Sequence, residues 1–338
     1  MGFWLDIAAF ALKATLIVVA VGALAALMAR LTRRDSGSAR EIEVRSLNER
    51  YEQMRDELDA EILDKKQRRA LAKARKREAK ARTGGEPGKR IFVLGFKGDV
   101  MASTVKNLAR EIDAVLTVAR PEQDEVVLRL HSPGGTVTGY GLGAAELSRL
   151  LDRKIKVTVS VDQVAASGGY MMACAGDAIV AAPFALIGSI GVVAQVPNLH
   201  RLLKKNDIDY EELTAGEFKR SVSMLGEITP AGREHFLGKI EDTHAVFKTF
   251  VAERRTGVDL AKVANGDVWL ATEALGLGLV DALSTSDELL FRLKDEARLF
   301  EVKTAARRTL LQQVLGRLGF EGASAFGPLG AIRASSLI

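Results

Sequence analysis

A serine stands between a predicted strand and a predicted helix in the segment VAASGGY, residues 164–170. The first N–H groups of a helix are unpaired and lie at the positive end of its dipole, which suits a nucleophilic hydroxyl. The same place suits a serine that only caps the helix, and small residues around it also allow close packing. The segment therefore predicts either a catalytic serine at Ser167 or a helix cap.

A Pro-Gly-Gly turn follows the strand-like run EVVLRL in the sequence HSPGGTVTG, residues 131–139. Glycines let backbone N–H groups face a cleft without obstruction by side chains, as an oxyanion site requires. Turns of this composition are also common as plain connections. The turn on its own therefore indicates no particular reaction.

Strands and helices alternate around these two segments. The runs IFVLGF, EVVLRL and KVTVSV predict strands, and residues 103–118 and 139–151 predict helices between them. This alternation is typical of an α/β domain with a parallel sheet. Sites in such domains lie beyond the carboxyl ends of the strands, where both glycine-rich segments fall. The folded domain is expected to begin near Ile91.

Residues 164–196 carry Asp177 as their single formal charge, so hydropathy alone would allow a membrane span or a hydrophobic core. Glycines, Asp177 and Pro183 interrupt the run at short intervals. Such interruptions divide it into short helix and strand pieces. The run is therefore interpreted as the buried core of the α/β domain.

Residues 7–29 carry Lys13 as their single charge and are long enough to cross a bilayer. A cleaved signal peptide is the alternative, but no basic residue precedes the segment. Arg30, Arg33 and Arg34 follow it, so the positive-inside rule favours a cytoplasmic catalytic domain, with a periplasmic one as the alternative. The sequence predicts a single-pass anchor within residues 1–30.

A charged region separates this anchor from the domain. Apolar residues from Val44 to Ile62 recur at spacings of three and four, which predicts an amphipathic helix. Residues 65–82 contain ten basic residues and one acid, and TGGEPGKR, residues 83–90, reads as a linker. Nucleic acid, anionic lipid or plain solvent could face such a basic stretch. Beside a membrane anchor, lipid is the expected partner, and no nucleic acid is expected.

Four motifs together resemble one family. The SPGG turn, DQVAASGGY, IGSIGV and TAGEFKR appear in the order and spacing of the signal peptide peptidase A family, from about Arg90 to Asp287. That family comprises serine peptidases of the α/β Clp/crotonase fold, and the anchor with its charged region resembles the SohB-type branch. The resemblance implies a charged region at residues 31–89, a Ser-Lys peptidase domain at residues 90–298 and a C-terminal extension at residues 299–338.

The resemblance also implies roles for individual residues. A lysine can take a serine's proton only when its own pKa is depressed, so the base is expected to be shielded from water in the assembled protein. Apolar side chains after the nucleophile are expected to help shape a substrate pocket. The residues are Ser167 as nucleophile, Lys219 as general base, Ser189 as the group that orients the lysine, Gly135 and Gly168 as oxyanion donors, and Tyr170, Met171 and Met172 at the pocket.

The implied activity is hydrolysis of peptide bonds through an acyl-enzyme at the bacterial inner membrane. Implied substrates are signal-peptide remnants or fragments of membrane proteins, held extended along a strand edge, and single-repeat relatives suggest a homo-octamer. No metal-ligand spacing and no phosphate-binding Gly-Lys-Ser/Thr motif occurs in the sequence. Hydrolysis is therefore expected to need neither a cofactor nor ATP.

Other chemistries remain as alternatives. A Ser-His-Asp triad would need one of the four histidines, His131, His200, His235 or His244, but none falls in the helix directly after Ser167. A crotonase-like acyl-CoA enzyme or a catalytically inactive membrane scaffold could use the same fold. The single cysteine, Cys174, is interpreted as a core residue, since free cysteines are usually buried.

Overall fold

The computed structural model describes residues 41–82 and 88–305, together with Lys13, Leu16, Val19 and Gly22. Residues 42–304 form a unit of their own. The predicted anchor at residues 7–29 lies outside the described residues, apart from those four positions. Among the residues that are described, no helix has the length and apolar character needed to cross a membrane.

The elements of this unit alternate between strands and helices along most of the chain. The strands are β1 (Ile42–Ser46), β2 (Arg90–Lys97), β3 (Glu125–Ser132), β4 (Lys156–Ala166), β5 (Ala178–Ala181), β6 (Leu186–Gly188), β7 (Val268–Leu270), β8 (Ala282–Leu283) and β9 (Arg298–Thr304). The described helices are α1 (Leu47–Ile62), α2 (Lys65–Arg82), α3 (Val105–Leu116), α4 (Val137–Leu151), α5 (Gly168–Cys174), α6 (His200–Lys205), α7 (Pro230–Arg254), α8 (Leu260–Val263), α9 (Ala271–Gly276) and α10 (Ser286–Leu293).

All of these strands join one sheet with the order β1-β9-β2-β3-β4-β5-β8, and β6 links β4 to β7. The pairs β2–β9, β2–β3, β3–β4, β4–β5, β4–β6 and β5–β8 are parallel, as the alternation of strands and helices predicts. The antiparallel pairs are β1–β9 and β6–β7. The predicted α/β fold class is therefore confirmed.

The sheet buries apolar side chains on both faces. On one face Phe92, Leu128 and Val159 belong to the main core, which includes residues of α3, α4 and α5. On the other face Ile91 and Val127 pack with residues of α1 and α10. Successive strand residues point to opposite faces of the sheet. A strand whose two faces are both covered therefore has a nearly continuous apolar sequence.

The interpretation of residues 164–196 as core is confirmed for its first part. The run contains the end of β4, helix α5 and strands β5 and β6, and then continues without regular structure to Val196. Cys174 is fully buried, and burial raises the pKa of its thiol to about 12. A thiol that stays protonated is a poor nucleophile, which agrees with a core role.

The folded unit is larger than the predicted range of residues 90–298. Val44 lies in β1 rather than in an amphipathic helix, because residues 42–46 pair with β9 across the sheet. Ser46 caps α1 by accepting a hydrogen bond from the N–H of Glu49 at 3.3 Å. A serine followed three residues later by glutamate is a known start signal for helices and marks this boundary in the sequence.

A buried carboxylate fixes the amino ends of the central strands. Asp124, just before β3, accepts hydrogen bonds from the guanidinium groups of Arg90 at 2.5 Å and Arg120 at 2.7 Å. Burial favours the neutral acid, but the bonds from Arg120 and Arg90 outweigh it and hold the pKa of Asp124 well below its usual range. The carboxylate therefore stabilises the folded chain as an anion.

Replacing Asp124 with asparagine is expected to lower the free energy of unfolding by about 2–4 kcal/mol at pH 7, because two arginines lose their anion. An aspartate with a depressed pKa contributes fully above its unfolded value of about 3.9, and the contribution declines as the pH falls further. The difference between wild type and D124N should therefore be constant above about pH 5 and narrow below pH 4. Urea unfolding at several pH values measures it.

The matched control is Asp242→Asn, which breaks an exposed pair with Lys239 on α7. Exposed pairs contribute less than about 1 kcal/mol, so this variant should unfold close to wild type at every pH. Equal effects of D124N and D242N would contradict the role assigned to Asp124.

Candidate active site

Ser167 occupies a strained turn between β4 and α5. Its backbone angles are φ 51° and ψ −122°, a region that residues with side chains rarely adopt and that costs on the order of 1–3 kcal/mol. Its N–H donates to the carbonyl oxygen of Gly188 at 2.8 Å, which ties the turn to β6. The residue is partly exposed, and its hydroxyl makes no hydrogen bond to any described residue. The turn thus presents a serine hydroxyl without a described hydrogen-bond partner.

The two residues after Ser167 must be glycines for steric reasons. A Cβ on Gly168 would lie 2.5 Å from Cγ of Tyr140, and one on Gly169 would lie 2.5 Å from the carbonyl oxygen of Ser132. Both glycines therefore let α5 begin in direct contact with α4 and with the end of β3. The sequence Ser-Gly-Gly therefore reflects the close packing of α5 against α4 and β3 as well as the need for a serine hydroxyl at this turn.

The Pro-Gly-Gly turn lies against the turn that holds Ser167. Gly134 has a φ of 92°, and a Cβ there would lie 2.7 Å from the Cβ of Ser167 and 2.9 Å from the N of Gly168. The register of β3 and β4 shifts at this point, from Leu130 opposite Val161 to Ser132 opposite Ala165. The extra length in β4 therefore brings the two glycine-rich segments together at the carboxyl end of the sheet.

The predicted oxyanion donors lie in this contact region. The N–H groups of Gly135 and Gly168 have no acceptor within the part of the chain that the structure describes. A side chain on Gly135 would overlap the carbonyl of Val100, so its backbone is held closely against the loop after β2. Two backbone donors beside a serine hydroxyl are the arrangement that stabilises a tetrahedral acyl intermediate.

Ser189 lies next to Ser167 through the backbone of Gly188. It also has a positive φ, 49°, and its N–H donates to the carbonyl oxygen of Asp267 at 2.6 Å. Its hydroxyl donates to the carbonyl oxygen of Gly266 at 3.3 Å. The structure therefore brings Ser189 to the same edge of the sheet as Ser167, although none of the described hydrogen bonds joins the two hydroxyls.

Lys219 lies in the irregular segment between α6 and α7, and its side chain is exposed in the single chain. Its ammonium group makes no hydrogen bond or ion pair with any described residue. The shielding from water expected for a general base is thus absent from the isolated chain, because no described element covers this side chain. The structure brings Ser167, Gly135, Gly168 and Ser189 together, and none of the described contacts joins Lys219 to them.

The segment that carries Lys219 is nevertheless anchored. The ring of Phe218 stacks on His235 of α7, with centroids 3.9 Å apart and planes 10° from parallel. One carboxylate oxygen of Glu212 accepts hydrogen bonds from Ser223 at 3.0 Å and from Tyr210 at 3.1 Å. No sequence motif indicates these contacts, since they join residues whose types are common in surface loops.

Two of the three predicted pocket residues lie in the core. Tyr170 and Met172 have no exposed surface, and the hydroxyl of Tyr170 donates to the carbonyl oxygen of Leu279 at 2.9 Å. Met171 is partly exposed. Only Met171 of the three therefore has surface that a substrate can touch in this conformation.

None of the histidines bonds to Ser167 among the described contacts. His244 of α7 contacts the carbonyl oxygen of Ile190 through Nε2 at 3.1 Å, which pins the residue after Ser189. His131 is partly exposed on β3, and its ring forms no hydrogen bond with the described residues. Within those residues no three or more His, Cys, Asp or Glu side chains are grouped to hold a metal ion.

Substituting Gly169 with alanine is expected to lower the free energy of unfolding by about 1–3 kcal/mol, because the new methyl group meets the backbone of Ser132. Gly141 on α4 is the matched control, since nothing lies within 4 Å of a Cβ there. Gly141→Ala should raise the free energy by up to about 1 kcal/mol. Thermal or urea unfolding compares the two, and shifts of the same sign and size would argue against the close approach.

Comparison with known proteins gives a consistent family. The sequence profile of Peptidase family S49 N-terminal matches residues 2–147, and that of Peptidase family S49 matches residues 149–300. "Probable protease SohB" of Haemophilus influenzae is 52% identical over 69% of this chain and 65% of its own length, so the match spans just under two thirds of that relative. "Putative protease SohB" of Buchnera aphidicola subsp. Baizongia pistaciae is 36% identical over 92% of this chain and 93% of its own.

A solved structure, a mutant of the 1510-N membrane-bound stomatin-specific protease, aligns with a TM-score of 0.38 and 18% identity over 61% of this chain and 86% of that chain. The family assignment rests instead on the two profiles and on the identity that extends across nearly the whole Buchnera relative. The chain belongs to peptidase family S49 and is similar to its SohB proteases.

Proposed function

We propose that the protein is a membrane-anchored serine endopeptidase that cleaves peptide bonds through an acyl-enzyme on Ser167. The observation that carries this proposal is the strained turn at Ser167, whose hydroxyl is unpaired and lies beside two backbone N–H groups without described acceptors. Strain of this kind persists where the surrounding structure enforces it and is common at active sites, so the strained backbone of Ser167 at the carboxyl end of β4 supports a nucleophilic role. Membership of a peptidase family supports the same reaction class.

The proposed reaction begins with attack of the Ser167 hydroxyl oxygen on the carbonyl carbon of the scissile bond. Lys219, as the neutral amine, takes the hydroxyl proton while the N–H groups of Gly135 and Gly168 bind the negative oxygen. Collapse of the intermediate breaks the C–N bond, and the leaving amine takes the proton from Lys219. Lys219 then removes a proton from the water that attacks the ester, and it returns this proton to the Ser167 oxygen as the C–O bond breaks and the acid product leaves. No step requires ATP or a cofactor.

The exposure of Lys219 leads to a proposal about assembly. Large apolar side chains flank it in the same segment, with Leu213 86%, Met224 52% and Phe218 44% exposed. Exposed apolar groups of this size are typical of contact surfaces. We propose that the protein forms a homo-oligomer, an octamer by the family resemblance, in which this segment is covered. Burial in the assembly would favour the neutral amine that a lysine base needs.

Ser189 is proposed to orient the amine of Lys219 in that assembled state. Its strained backbone and its place beside Gly188 hold its hydroxyl at the same sheet edge as Ser167. Its described partner, the carbonyl of Gly266 at 3.3 Å, is a long hydrogen bond that the hydroxyl can exchange for another.

The remaining parts of the proposal concern fold type, substrate and location. A mostly parallel sheet with the proposed nucleophile at the start of α5 supports a Clp/crotonase-like fold. Residues 7–29 would anchor the chain in the inner membrane, with the catalytic domain placed in the cytoplasm by the charge rule. On α2 the exposed bases Lys65, Lys66, Arg68, Arg69, Lys73 and Arg77 would face anionic lipid. Substrates held at the membrane would be apolar peptides, such as signal-peptide remnants.

Ser167→Ala and Lys219→Ala are each expected to reduce kcat/KM on casein or a quenched fluorescent peptide by about 10³-fold or more, because each removes one half of the proton-transfer pair. Lys205→Ala is the matched control, since Lys205 is also exposed and makes no described ion pair. It should retain wild-type hydrolysis. Assays contain no ATP and are repeated with a metal chelator.

Full hydrolysis by either variant would contradict the Ser-Lys mechanism. Absence of hydrolysis in the wild type, together with normal assembly, would favour an inactive scaffold. A requirement for ATP or inhibition by the chelator would contradict the cofactor-free reaction.

If assembly completes the site, specific activity should fall on dilution in step with dissociation of the oligomer. Light scattering after size exclusion in detergent gives the mass at each concentration, and the peptide assay gives the activity. Leu213→Glu, which charges the exposed apolar segment, should lower both the mass and the activity. Full activity in a confirmed monomer would contradict the proposal.

A further inference from the structure

A chain of buried hydroxyl groups runs beneath the proposed oxyanion site. The oxygen atoms of Ser132 and Tyr140 lie 2.6 Å apart, and both residues have no exposed surface. Tyr140 also contacts the carbonyl oxygen of Asp99 at 2.8 Å, and the N–H of Gly134 donates to the Ser132 hydroxyl at 3.0 Å. We propose that Tyr140 and Ser132 are positioning residues that hold the two oxyanion donors at their working separation.

The direction of each hydrogen bond in this row of hydroxyls follows from the groups at its two ends, the N–H of Gly134 and the carbonyl oxygen of Asp99. A carbonyl oxygen can only accept, so the Tyr140 hydroxyl donates to Asp99. Tyr140 then has no proton left for Ser132, and Ser132 must donate to Tyr140. The Ser132 oxygen accepts from Gly134 in turn. Each hydroxyl thus donates one bond and accepts one, which leaves no alternative orientation that keeps all the bonds.

The hydrogen-bonded hydroxyls of Ser132 and Tyr140 fix the first donor, Gly135, through its neighbour Gly134. The bond from Gly134 to Ser132 fixes the turn at a residue whose φ is 92°. The next peptide carries the N–H of Gly135, so rotation of Gly134 would re-aim that donor. Ser132 therefore acts on the oxyanion site through the turn and does not touch the substrate itself.

The same tyrosine controls the second donor through its ring. The space beside Gly168 is filled by the ring of Tyr140, which leaves no room for a Cβ on that glycine. Gly98, whose N–H donates to the carbonyl of His131, lies so close to the two hydroxyls that it too admits no side chain. The side chain of Tyr140 therefore contacts Gly168 with its ring. Its hydroxyl fixes the turn that carries Gly135, through the hydrogen bond to Ser132.

The tyrosine stays protonated while it does this. Burial raises the pKa of Tyr140, which outweighs the bond from Ser132. Because its proton is donated to the carbonyl oxygen of Asp99, the hydroxyl is assigned a role in geometry. Loss of the hydroxyl should lower kcat without shifting the pH at which activity appears.

The expected kinetic effect follows from when the oxyanion exists. The negative oxygen forms only in the transition state and the intermediate, so misplaced donors lower kcat and leave substrate binding largely unchanged. Tyr140→Phe keeps the ring and removes the hydroxyl, and Ser132→Ala removes the other member. Each is expected to lower kcat about 10- to 100-fold. KM should stay within about twofold.

This inference rests on the proposed peptidase function, and the experiment separates the two. Full-length wild type, Y140F, S132A and the double variant are compared for kcat, KM and pH profile on the same peptide. Inhibition by a peptide boronic acid is measured in parallel, because it binds as a tetrahedral adduct that needs the oxyanion donors. The inhibition constant should rise by about the factor by which kcat/KM falls, and the double variant should lose less than the product of the single losses.

Ser160 and Ser286 supply the matched control. They form a second buried pair of hydroxyls 2.9 Å apart, and Ser160 lies on β4 seven residues before Ser167. Ser160→Ala and Ser286→Ala should cost similar stability, which thermal unfolding records, yet keep wild-type kcat. If Tyr140→Phe does not fold, Ser132→Ala alone carries the comparison.

An active wild type whose Y140F and S132A variants keep full kcat would overturn the inference and leave the peptidase proposal intact. The inference would also be overturned if kcat fell in proportion to lost stability in all four single variants, Y140F, S132A, S160A and S286A. A rise in KM with unchanged kcat in Y140F and S132A would overturn it as well. A wild type that fails to hydrolyse peptides, or an S167A variant that still does, would instead remove the proposed function.

Discussion

The direct contact of two backbone segments around Ser167 is the constraint on which the rest of the site depends. Gly134 lies against the turn at Ser167, and Gly168 and Gly169 lie against Tyr140 and Ser132. No side chain fits between these segments, so their relative position is set by backbone atoms and by the ring of Tyr140. Backbone donors placed this way need no rearrangement when charge develops on a substrate.

Much of this arrangement could be predicted from the sequence because the signals are local. The apolar runs that form β2, β3 and β4 identify the parallel sheet, and the glycines beside Ser167 identify the turn at its edge. The parts that could not be predicted are joined over long distances in the chain. The sequence does not single out Tyr140, because a tyrosine in a helix usually packs in a core and its hydroxyl role depends on Ser132 and Asp99. The local spacing predicts a helix at Val44, because the strand that pairs with it lies about 260 residues later.

For Lys219, the sequence predicts a role but not the surroundings that this role needs. Its place in TAGEFKR identifies it by resemblance, but its surroundings in one chain are solvent and a loop held by Phe218 and Glu212. A site that is completed by a second copy, as we propose, leaves only an indirect trace in one sequence, here the exposed apolar residues near a lysine. The single chain therefore supports the proposed nucleophile and oxyanion donors more fully than the proposed base.

The position of β9 has a consequence for how the protein is made. This strand is formed by residues 298–304, yet it lies between β2 and β1, and β1 has no other partner among the described strands. A growing chain can therefore assemble β2, β3 and β4 early, while β1 stays unpaired until residues 298–304 have left the ribosome. The segment next to the predicted anchor is thus fixed in the sheet later than the central strands that carry the candidate site.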